Sequence, residues 1–367
     1  MKFRCERDTL ADAIGTAQRA VAARPGALPV LSGLRVSVAS SGGVELVGSD
    51  LELTIRAEAP AQVEGEGSAV VPARLFSDIV RKLESGSVTI EFGEDDAQIE
   101  GGRASFALRT LPAADFPRLP EVTGAGVRVT AGSLAEALRQ VVPAASRDDA
   151  RPILTGVLLT AAGGGLRLVA TDSYRLAVRD LQGVTQFLQE GQKVLVAGRG
   201  LGEVQRLLGD GEIEVVLSER EVVFRVGATE VTTRLIEGEF PNYEQLIPSG
   251  YPNRLTVSRD LIHAAVERVR LVGQGRDTAP IRLAMTSEGL ELSAVAQDVG
   301  EAHESVEAKY EGADLTVAFN SQFLLEGIEA AGASEVVIES IDPLKPAVLR
   351  GSDNADFLYL LMPVRIS

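Results

Sequence analysis

The sequence predicts an α+β fold made of three copies of one module, in which helices alternate with antiparallel strand pairs. A helix, a strand-rich stretch, a second helix and a group of closing strands recur in the same order. Corresponding landmarks lie roughly 125 residues apart, far longer than a solenoid repeat. Proline-containing stretches, PRLPEVTGAG and IPSGYPNRL, separate the copies. We therefore expect three whole domains, over residues 1–122, 127–249 and 253–367.

The first module is predicted to open with a helix in DTLADAIGTAQRAVAAR, capped by Asp8 or Thr9. The helical spacing of its apolar side chains predicts a buried face of Leu10, Ile14, Ala17 and Val21. A strand-rich stretch follows, with a hairpin turn at residues 40–43.

A second helix is predicted from Ala73 to about Leu83, with Leu75, Ile79 and Leu83 on its apolar face. The strands VTIEF, AQIEG and ASFALRTL close the first module. These strands complete the unit that the next two modules repeat.

In the second module, Ser133 and Glu136 have the spacing of a capping box for the opening helix. Its strand-rich region is RPILTGVLLTAAGGGLRLVATDSYRLAVRD, and LGEVQRLLG is its second helix. The third module begins at SRDLIHAAVERVRLV and has its second helix in FNSQFLLEGIEAAG. If the two end faces of the chain are complementary, two chains arranged head to tail would close a ring of six modules, and closure removes the exposed sheet edges.

The composition indicates a soluble cytoplasmic protein. Hydrophobic residues make up 45% of the chain and can fill several cores, and the single cysteine, Cys5, excludes an internal disulfide. The first residues carry charges where a signal peptide would be apolar, and no segment is long and apolar enough to suggest a membrane partner. Acidic residues outnumber basic ones 52 to 36, the reverse of what is expected for a protein that grips nucleic acid along its surface.

A polar break, Thr171-Asp172-Ser173, lies between two alternating runs in LRLVATDSYRLAVRDL. It could be a turn, an active site or the lip of a binding pocket. Catalysis is disfavoured because Arg175 beside Asp172 would keep the carboxylate ionised, and thus a weak proton donor. A turn remains open, since Asp can bond its own backbone. So does a pocket, for which aromatic, thioether and proline side chains are typical.

The remaining motifs give no catalytic residue, metal or cofactor. Gly198-Arg199-Gly200-Leu201-Gly202 does not have the GxGxxG spacing and is predicted to be a helix entry. His263 and His303 are far apart and have no cysteine beside them. No P-loop, nucleophile elbow or HExxH motif is present.

Several segments together resemble the bacterial DNA sliding clamp, the β subunit of the replicative DNA polymerase III. They are MKFRCERDTLADAI, TLPAADFPRLP, VATDSYRLAV, EGEFPNYEQLIP, FNSQFLLEGI, DPLKPAVL and LLMPVRIS, and they span all three modules in order. The resemblance implies a non-catalytic, head-to-tail homodimeric ring, with helices lining a hole for double-stranded DNA and sheets on the outside. A ring held on DNA by topology needs little affinity for it, which reconciles the net charge of −16 with DNA binding.

The resemblance also implies a pocket for short clamp-binding motifs of the polymerase III α subunit, the clamp loader, other polymerases, ligase and mismatch-repair proteins. Carried over position by position, the pocket contains Leu154, Thr171, Ser173, Tyr174, Arg175, Leu176, Pro241, Leu246, Asn320, Phe323, Leu344, Pro346, Val348, Met362, Pro363, Val364 and Arg365. The family often has Gly-His at Ser173-Tyr174 and Tyr at Phe323, so we expect a peptide preference particular to this chain.

Two further sets follow from the resemblance. Arg24 and Arg151 are carried over from the family as DNA contacts, and Arg74 and Arg199 are expected to face DNA because they lie on or beside predicted helices that would line the ring. The residues expected at the dimer interface are Phe106 and Leu108 on an edge strand, opposite Leu271 and Val272.

Two alternatives remain at this stage. One is a divergent clamp copy that acts as a peptide-binding scaffold or replaces the main clamp when that clamp is blocked. The other is an unrelated enzyme that uses Asp172.

Overall fold

The computed structural model describes residues 1–367 apart from 23–27, 40–41, 120–121, 123, 125, 185–186, 274–279 and 366–367. Within the described residues there are six α-helices. Their bounds are α1 Arg7–Ala17, α2 Ala73–Lys82, α3 Ala131–Val141, α4 Gly198–Leu207, α5 Arg259–Val269 and α6 Ser321–Ala331.

The strands of the first third of the chain are β1 Lys2–Glu6, β2 Gly33–Val38, β3 Val44–Ser49, β4 Leu53–Ala59, β5 Gln62–Glu64, β6 Ser68–Pro72, β7 Ser87–Phe92, β8 Asp96–Gly101, β9 Ala104–Arg109 and β10 Leu111–Pro112. Those of the middle third are β11 Val127–Thr130, β12 Gly156–Ala162, β13 Gly165–Thr171, β14 Arg175–Gln182, β15 Lys193–Ala197, β16 Glu212–Leu217, β17 Glu221–Val226 and β18 Thr229–Arg234. Those of the last third are β19 Asn253–Ser258, β20 Pro280–Thr286, β21 Gly289–Ala296, β22 Gly300–Val306, β23 Ala308–Glu311, β24 Leu315–Asn320, β25 Glu335–Ser340, β26 Ala347–Gly351 and β27 Phe357–Leu361.

One order of elements occurs three times, as the sequence predicts. A strand leads into a helix, a three-stranded meander follows, another strand leads into a second helix, and a second meander closes the repeat. Each repeat supplies two four-stranded antiparallel groups, which are β6-β2-β3-β4 and β1-β7-β8-β9 in repeat 1. The corresponding groups are β15-β12-β13-β14 and β11-β16-β17-β18 in repeat 2, and β24-β20-β21-β22 and β19-β25-β26-β27 in repeat 3.

One compact unit comprises Met1–Ala131 and Arg206–Leu235. It holds a five-stranded sheet, β5-β1-β7-β8-β9, and a nine-stranded sheet, β10-β6-β2-β3-β4-β18-β17-β16-β11. In the larger sheet β4 of repeat 1 pairs antiparallel with β18 of repeat 2, and Ile55 lies opposite Val231. The core of the unit includes residues of α1 and α2 and the strands that they cover.

The other compact unit comprises Gly132–Gln205 and Ile236–Ser367. Its nine-stranded sheet has the order β15-β12-β13-β14-β27-β26-β25-β19-β23, and its four-stranded sheet the order β22-β21-β20-β24. Here β14 of repeat 2 pairs antiparallel with β27 of repeat 3, and Ala177 lies opposite Tyr359. The stretch predicted as the second module is thus divided between the units, because its two strand groups pair with strands of different repeats.

Helix positions follow the predicted pattern, but two details differ. In α2 the buried residues are Ala73, Phe76, Ser77 and Val80, whereas Leu75 is 51% exposed. The prediction is therefore wrong for Leu75, whereas Leu83 is buried and Ile79 packs half-buried on the core. Phe76 and Val80, four residues apart, complete the inward face. Ser133 is the third residue of α3 and cannot be its N-cap, since β11 runs directly into the helix at Ala131.

Candidate functional site

The polar break at residues 171–175 is a capped turn between β13 and β14. Asp172 Oδ1 accepts hydrogen bonds from the backbone N–H groups of Tyr174 (2.9 Å) and Arg175 (3.0 Å). The Thr171 hydroxyl donates to the Arg175 carbonyl (2.6 Å), and Ser173 has a φ of +82°. The carboxylate of Asp172 thus holds its own turn, which is the structural interpretation that the sequence left open.

Repeat 1 contains the same turn between β3 and β4. Asp50 Oδ1 accepts from the backbone N–H groups of Glu52 (3.1 Å) and Leu53 (2.9 Å), and Leu51 has a φ of +76°. Two copies of one turn indicate a feature of the fold. They argue against an active site built on Asp172.

Arg175 is buried behind the turn, at 7% exposure, and joins four elements. Its Nε donates to Asp172 Oδ2 (3.0 Å). One terminal nitrogen bonds the Glu326 carboxylate of α6 and the Tyr359 hydroxyl of β27 (3.3 Å), and the other donates to the Pro143 carbonyl (2.5 Å). With these bonds the guanidinium has few donors left for a ligand.

Burial alone would lower the pKa of Arg175, but the neighbouring Tyr359 and Glu326 more than offset this effect and raise it. Burial raises the pKa of Tyr359. Neither group therefore changes its charge near neutral pH. The cluster of Asp172, Arg175, Glu326 and Tyr359 is a hydrogen-bonded support behind the turn.

Beside this support lies an exposed surface of apolar side chains, here called the apolar surface and defined by Tyr174, Phe323 and Met362. The Tyr174 and Phe323 rings have centroids 6.5 Å apart. The Met362 backbone N–H donates to the Tyr174 carbonyl (2.9 Å), which sets the chain after β27 against the turn. Tyr174 is 62% exposed and Met362 38% exposed.

A buried cluster forms the floor of this side of the sheet. It contains Leu176, Val348 and Leu360 together with strand residues around them. The segment after β18 covers the cluster, and its Phe240, Tyr243 and Ile247 pack on it. Sequence reasoning did not include these three residues, although their large apolar side chains in a proline-rich stretch were a usable signal.

The predicted pocket residues divide by exposure into three sets. The exposed ones are Ser173, Tyr174, Pro241, Leu246, Leu344, Met362 and Arg365. The half-buried ones are Leu154, Phe323, Pro346, Pro363 and Val364. The buried ones are Thr171, Arg175, Leu176, Asn320 and Val348.

The residues predicted to face DNA lie in different settings. Arg24 is outside the described residues, whereas Arg74 on α2 and Arg199 on α4 are exposed. Arg151 pairs with Asp148 (2.9 Å), and its Nη1 donates to the Ser173 hydroxyl (3.2 Å), so Arg151 is tied to the capped turn. Hydrogen bonds from the Ala150 N–H and from Arg151 lower the pKa of Asp148.

Of the residues predicted at the dimer interface, Phe106 lies on β9, an edge strand, and is 39% exposed. Leu108 on the same strand is 5% exposed and belongs to the core of its own unit. Leu271 and Val272 follow α5 in a 3₁₀ turn, Arg270–Gly273, where Leu271 is 54% exposed.

No group of three or more metal-binding side chains is found among the described residues. His263 contacts Glu329 (3.0 Å), and His303 contacts Glu291 (3.2 Å). In the described part of the chain, no helix has the length and apolarity needed to cross a membrane.

Comparisons with known proteins agree over the whole chain. Family models for the N-terminal, central and C-terminal domains of the DNA polymerase III beta subunit match residues 1–120, 128–242 and 244–365. A beta sliding clamp of Streptomyces coelicolor is 36% identical, and one of Staphylococcus epidermidis is 31% identical; alignments cover all of this chain and 100% and 99% of the relatives.

Solved structures show the same likeness. The sliding clamp of Bacillus subtilis superposes with a TM-score of 0.90 at 28% identity, covering all of both chains. A sliding clamp from Pseudomonas aeruginosa, solved bound to griselimycin, gives a TM-score of 0.89 at 30% identity, again over all of both chains.

Three repeats of one α+β domain, joined by antiparallel strand pairing, define a protein of the clamp fold. The chain belongs to the beta sliding clamp family, the beta subunits of DNA polymerase III, and has three clamp domains and no catalytic role of its own.

Proposed function

We propose that two copies of this chain join head to tail as a ring around double-stranded DNA and tether the replicative polymerase to it. The observation that carries the ring is the way the repeats are joined. Strand β4 pairs with β18, and β14 pairs with β27, both antiparallel. In each case the last strand of one meander pairs with the last strand of the next repeat.

Repeat 3 offers β22 at the position of β4 and β14, and repeat 1 offers β9 at the position of β18 and β27. In the described sheets β22 and β9 are both edge strands. Pairing β22 of one copy with β9 of another would repeat the internal junction. Two such contacts, related by a two-fold axis, close the assembly and remove both exposed edges.

Charge and apolar area support this pairing. Arg103, just before β9, and Arg109, its last residue, are exposed. Strand β22 carries Glu301, which is exposed, and Glu304, which already pairs with Arg268. Opposite charges across neighbouring strands favour pairing. Phe106 and Leu271 would add apolar area, whereas Leu108, already buried within its own chain, would add little.

A closed ring is held on DNA by linkage, so a chain with net charge −16 can serve as a clamp. In this proposal Arg24, Arg74, Arg151 and Arg199 contribute weak contacts to phosphates. Each contact is worth little alone, and none is needed for retention.

Retention on circular DNA tests the ring. The chain is loaded onto a nicked plasmid by a bacterial clamp loader and isolated by gel filtration, and the plasmid is then cut once. We expect the protein to stay on the circle and to leave the linear form. Equal release from both forms would overturn the ring.

The apolar surface is proposed to bind short motifs of the polymerase III α subunit, the clamp loader, other polymerases, ligase and mismatch-repair proteins. Tyr174, Phe323 and Met362 present aromatic and thioether groups, which suit apolar anchors of a peptide. The buried Arg175 beneath them keeps the surface in one arrangement, and such pre-organisation favours binding. An apolar hexapeptide with two leucines and a phenylalanine should displace the α subunit from the chain, and failure to compete would place partner binding elsewhere.

A further inference from the structure

A small pocket of about 170 Å³ lies in the unit that contains repeat 1, beside the Asp50 turn. We call it the charged pocket and define it by Glu52, Thr54, Arg118, Thr232 and Arg234. Thr54 and Thr232 are opposite each other on β4 and β18 and are each 9% exposed, so their hydroxyl-bearing side chains form the floor. Arg118 and Arg234 are exposed at the mouth.

The charged pocket is the counterpart of the apolar surface at the other internal junction. Ser49 pairs with Thr54 across the Asp50 turn, as Thr171 pairs with Leu176 across the Asp172 turn. Thr54 therefore takes the place of Leu176. By the same register Thr233, which lies opposite Leu53, takes the place of Leu361, so Arg234 takes the place of Met362.

The architecture is thus repeated, but its chemistry is changed from apolar to charged. A hydroxyl stands in place of an isobutyl group, and a guanidinium stands in place of a thioether. An apolar motif that suits the first surface would cover the Arg234 guanidinium without giving it a hydrogen-bond partner, which is unfavourable. The two junctions must therefore select different ligands.

Three guanidinium groups and two carboxylates line the charged pocket. Arg56 is already held by Glu45 (3.9 Å) and Glu230 (3.5 Å). Arg118 and Arg234 make no ion pair with any residue in the described ranges. The Thr54 hydroxyl already shares a hydrogen bond with Ser49 (2.8 Å). The guanidinium forks of Arg118 and Arg234 at the mouth are the donors that a carboxylate, which only accepts, would satisfy.

We propose that the charged pocket binds a carboxylate carried by a peptide segment of a partner protein, either an acidic side chain or a C-terminus. Its volume suits one side chain, and the adjacent Leu51, 40% exposed, offers apolar contact for the flanking residue. The choice of a protein ligand rests on the proposed function, because the counterpart surface is proposed to bind partner peptides. The carboxylate chemistry rests on this pocket alone.

Fluorescence anisotropy with tetrapeptides that carry an uncharged dye tests this site. One probe is Leu-Asp-Leu-Gly with an amidated end, the second is Leu-Asn-Leu-Gly with a free carboxylate, and the third is Leu-Asn-Leu-Gly with an amidated end. Each is titrated with the full chain at low salt, and with Arg118→Gln and Arg234→Gln. Arg128→Gln is the matched control, because Arg128 is exposed in the same unit but does not line the pocket.

We expect one of the two carboxylate probes to bind more tightly than the neutral probe, and that probe identifies the source of the carboxylate. Arg118→Gln or Arg234→Gln should lower the affinity for that probe about fivefold, the upper range for an exposed ion pair. Arg128→Gln should have no effect, and Arg234→Lys should restore part of the affinity.

Equal binding of all three probes, or unchanged affinity in both Arg→Gln variants, would overturn the proposal. Loss of probe binding in Met362→Ala would also overturn it, because the probe would then occupy the apolar surface. Retention on circular DNA is measured in parallel with each variant. A chain that binds the carboxylate probe but leaves circular DNA would refute the ring and leave the charged pocket standing.

Discussion

The guanidinium carbon of Arg175 lies 4.2 Å from the centroid of the Phe323 ring. A cation over an aromatic face is attracted to it, the more so when both are partly removed from water. Arg175 is also bonded to Asp172 and Glu326. The position of the Phe323 ring on the apolar surface therefore depends on an ionic cluster beneath it.

Glu326→Ala should lower the free energy of unfolding by about 1–3 kcal/mol, because it removes one partner of a buried charge while Asp172 remains. Urea denaturation measures the change. The same variant should weaken binding of an apolar peptide, since Phe323 loses its support. Glu212→Ala removes an exposed ion pair with Arg128 and should have a much smaller effect. Unchanged peptide affinity in Glu326→Ala would contradict the supporting role.

Met362→Ala should weaken the binding free energy of the apolar hexapeptide by about 1–3 kcal/mol, the scale for losing an apolar anchor. Fluorescence anisotropy provides the measurement. Leu261→Ala is the matched control, because Leu261 is 51% exposed on α5, outside the apolar surface. If both variants bind the peptide as the unaltered chain does, the peptide site lies elsewhere.

Ser173→Gly should raise the free energy of unfolding by up to about 1 kcal/mol. Ser173 has a φ of +82°, a conformation that glycine adopts without a steric penalty. The lost hydrogen bond from Arg151 offsets part of the gain. Ser105→Gly, in the extended strand β9, should change stability in the opposite direction. Thermal unfolding measures the stability of both variants. A gain in Ser173→Gly together with a loss in Ser105→Gly shows that the backbone at Ser173 is strained.

The sequence was sufficient for the repeated order of helices and strands, because alternation of apolar residues reports which side of a strand is buried. The sequence did not determine which side of α2 is buried, because Leu75 and Phe76 are both apolar and only packing decides which one faces inward. Resemblance placed Arg175 and Tyr174 together in a pocket. Their opposite roles, one buried support and one exposed contact, depend on Glu326 and Tyr359, which are remote in sequence.

Replacing Leu271 and Val272 together with Ala should shift the chain toward monomers, because apolar contacts dominate a permanent interface. Sedimentation velocity over a range of concentrations measures the distribution. Leu344→Ala serves as control, since Leu344 is 68% exposed between β25 and β26 and belongs neither to β9 or β22 nor to the turn after α5. An unaltered chain that sediments as a monomer at all concentrations would contradict the dimeric ring itself.

Asp342 holds the turn that presents Leu344. Its Oδ1 accepts from the N–H groups of Leu344 (2.8 Å) and Lys345 (3.0 Å), and these bonds lower the pKa of Asp342. Because the folded-state pKa is the lower one, the stabilisation is fully present above the ordinary pKa of about 4 and is lost as pH falls through the folded value.

We therefore expect hydrogen-exchange protection of the Leu344 and Lys345 amides, corrected for intrinsic rates, to stay constant from neutral pH down to about pH 4 and to fall below it. Asp342→Asn should remove this acid-induced step, since an amide does not titrate in this range. The turn at Asp172, which has the same two backbone hydrogen bonds but is buried, is measured in the same exchange experiment as the reference. A loss of protection at Leu344 near neutral pH would show that another group controls the turn.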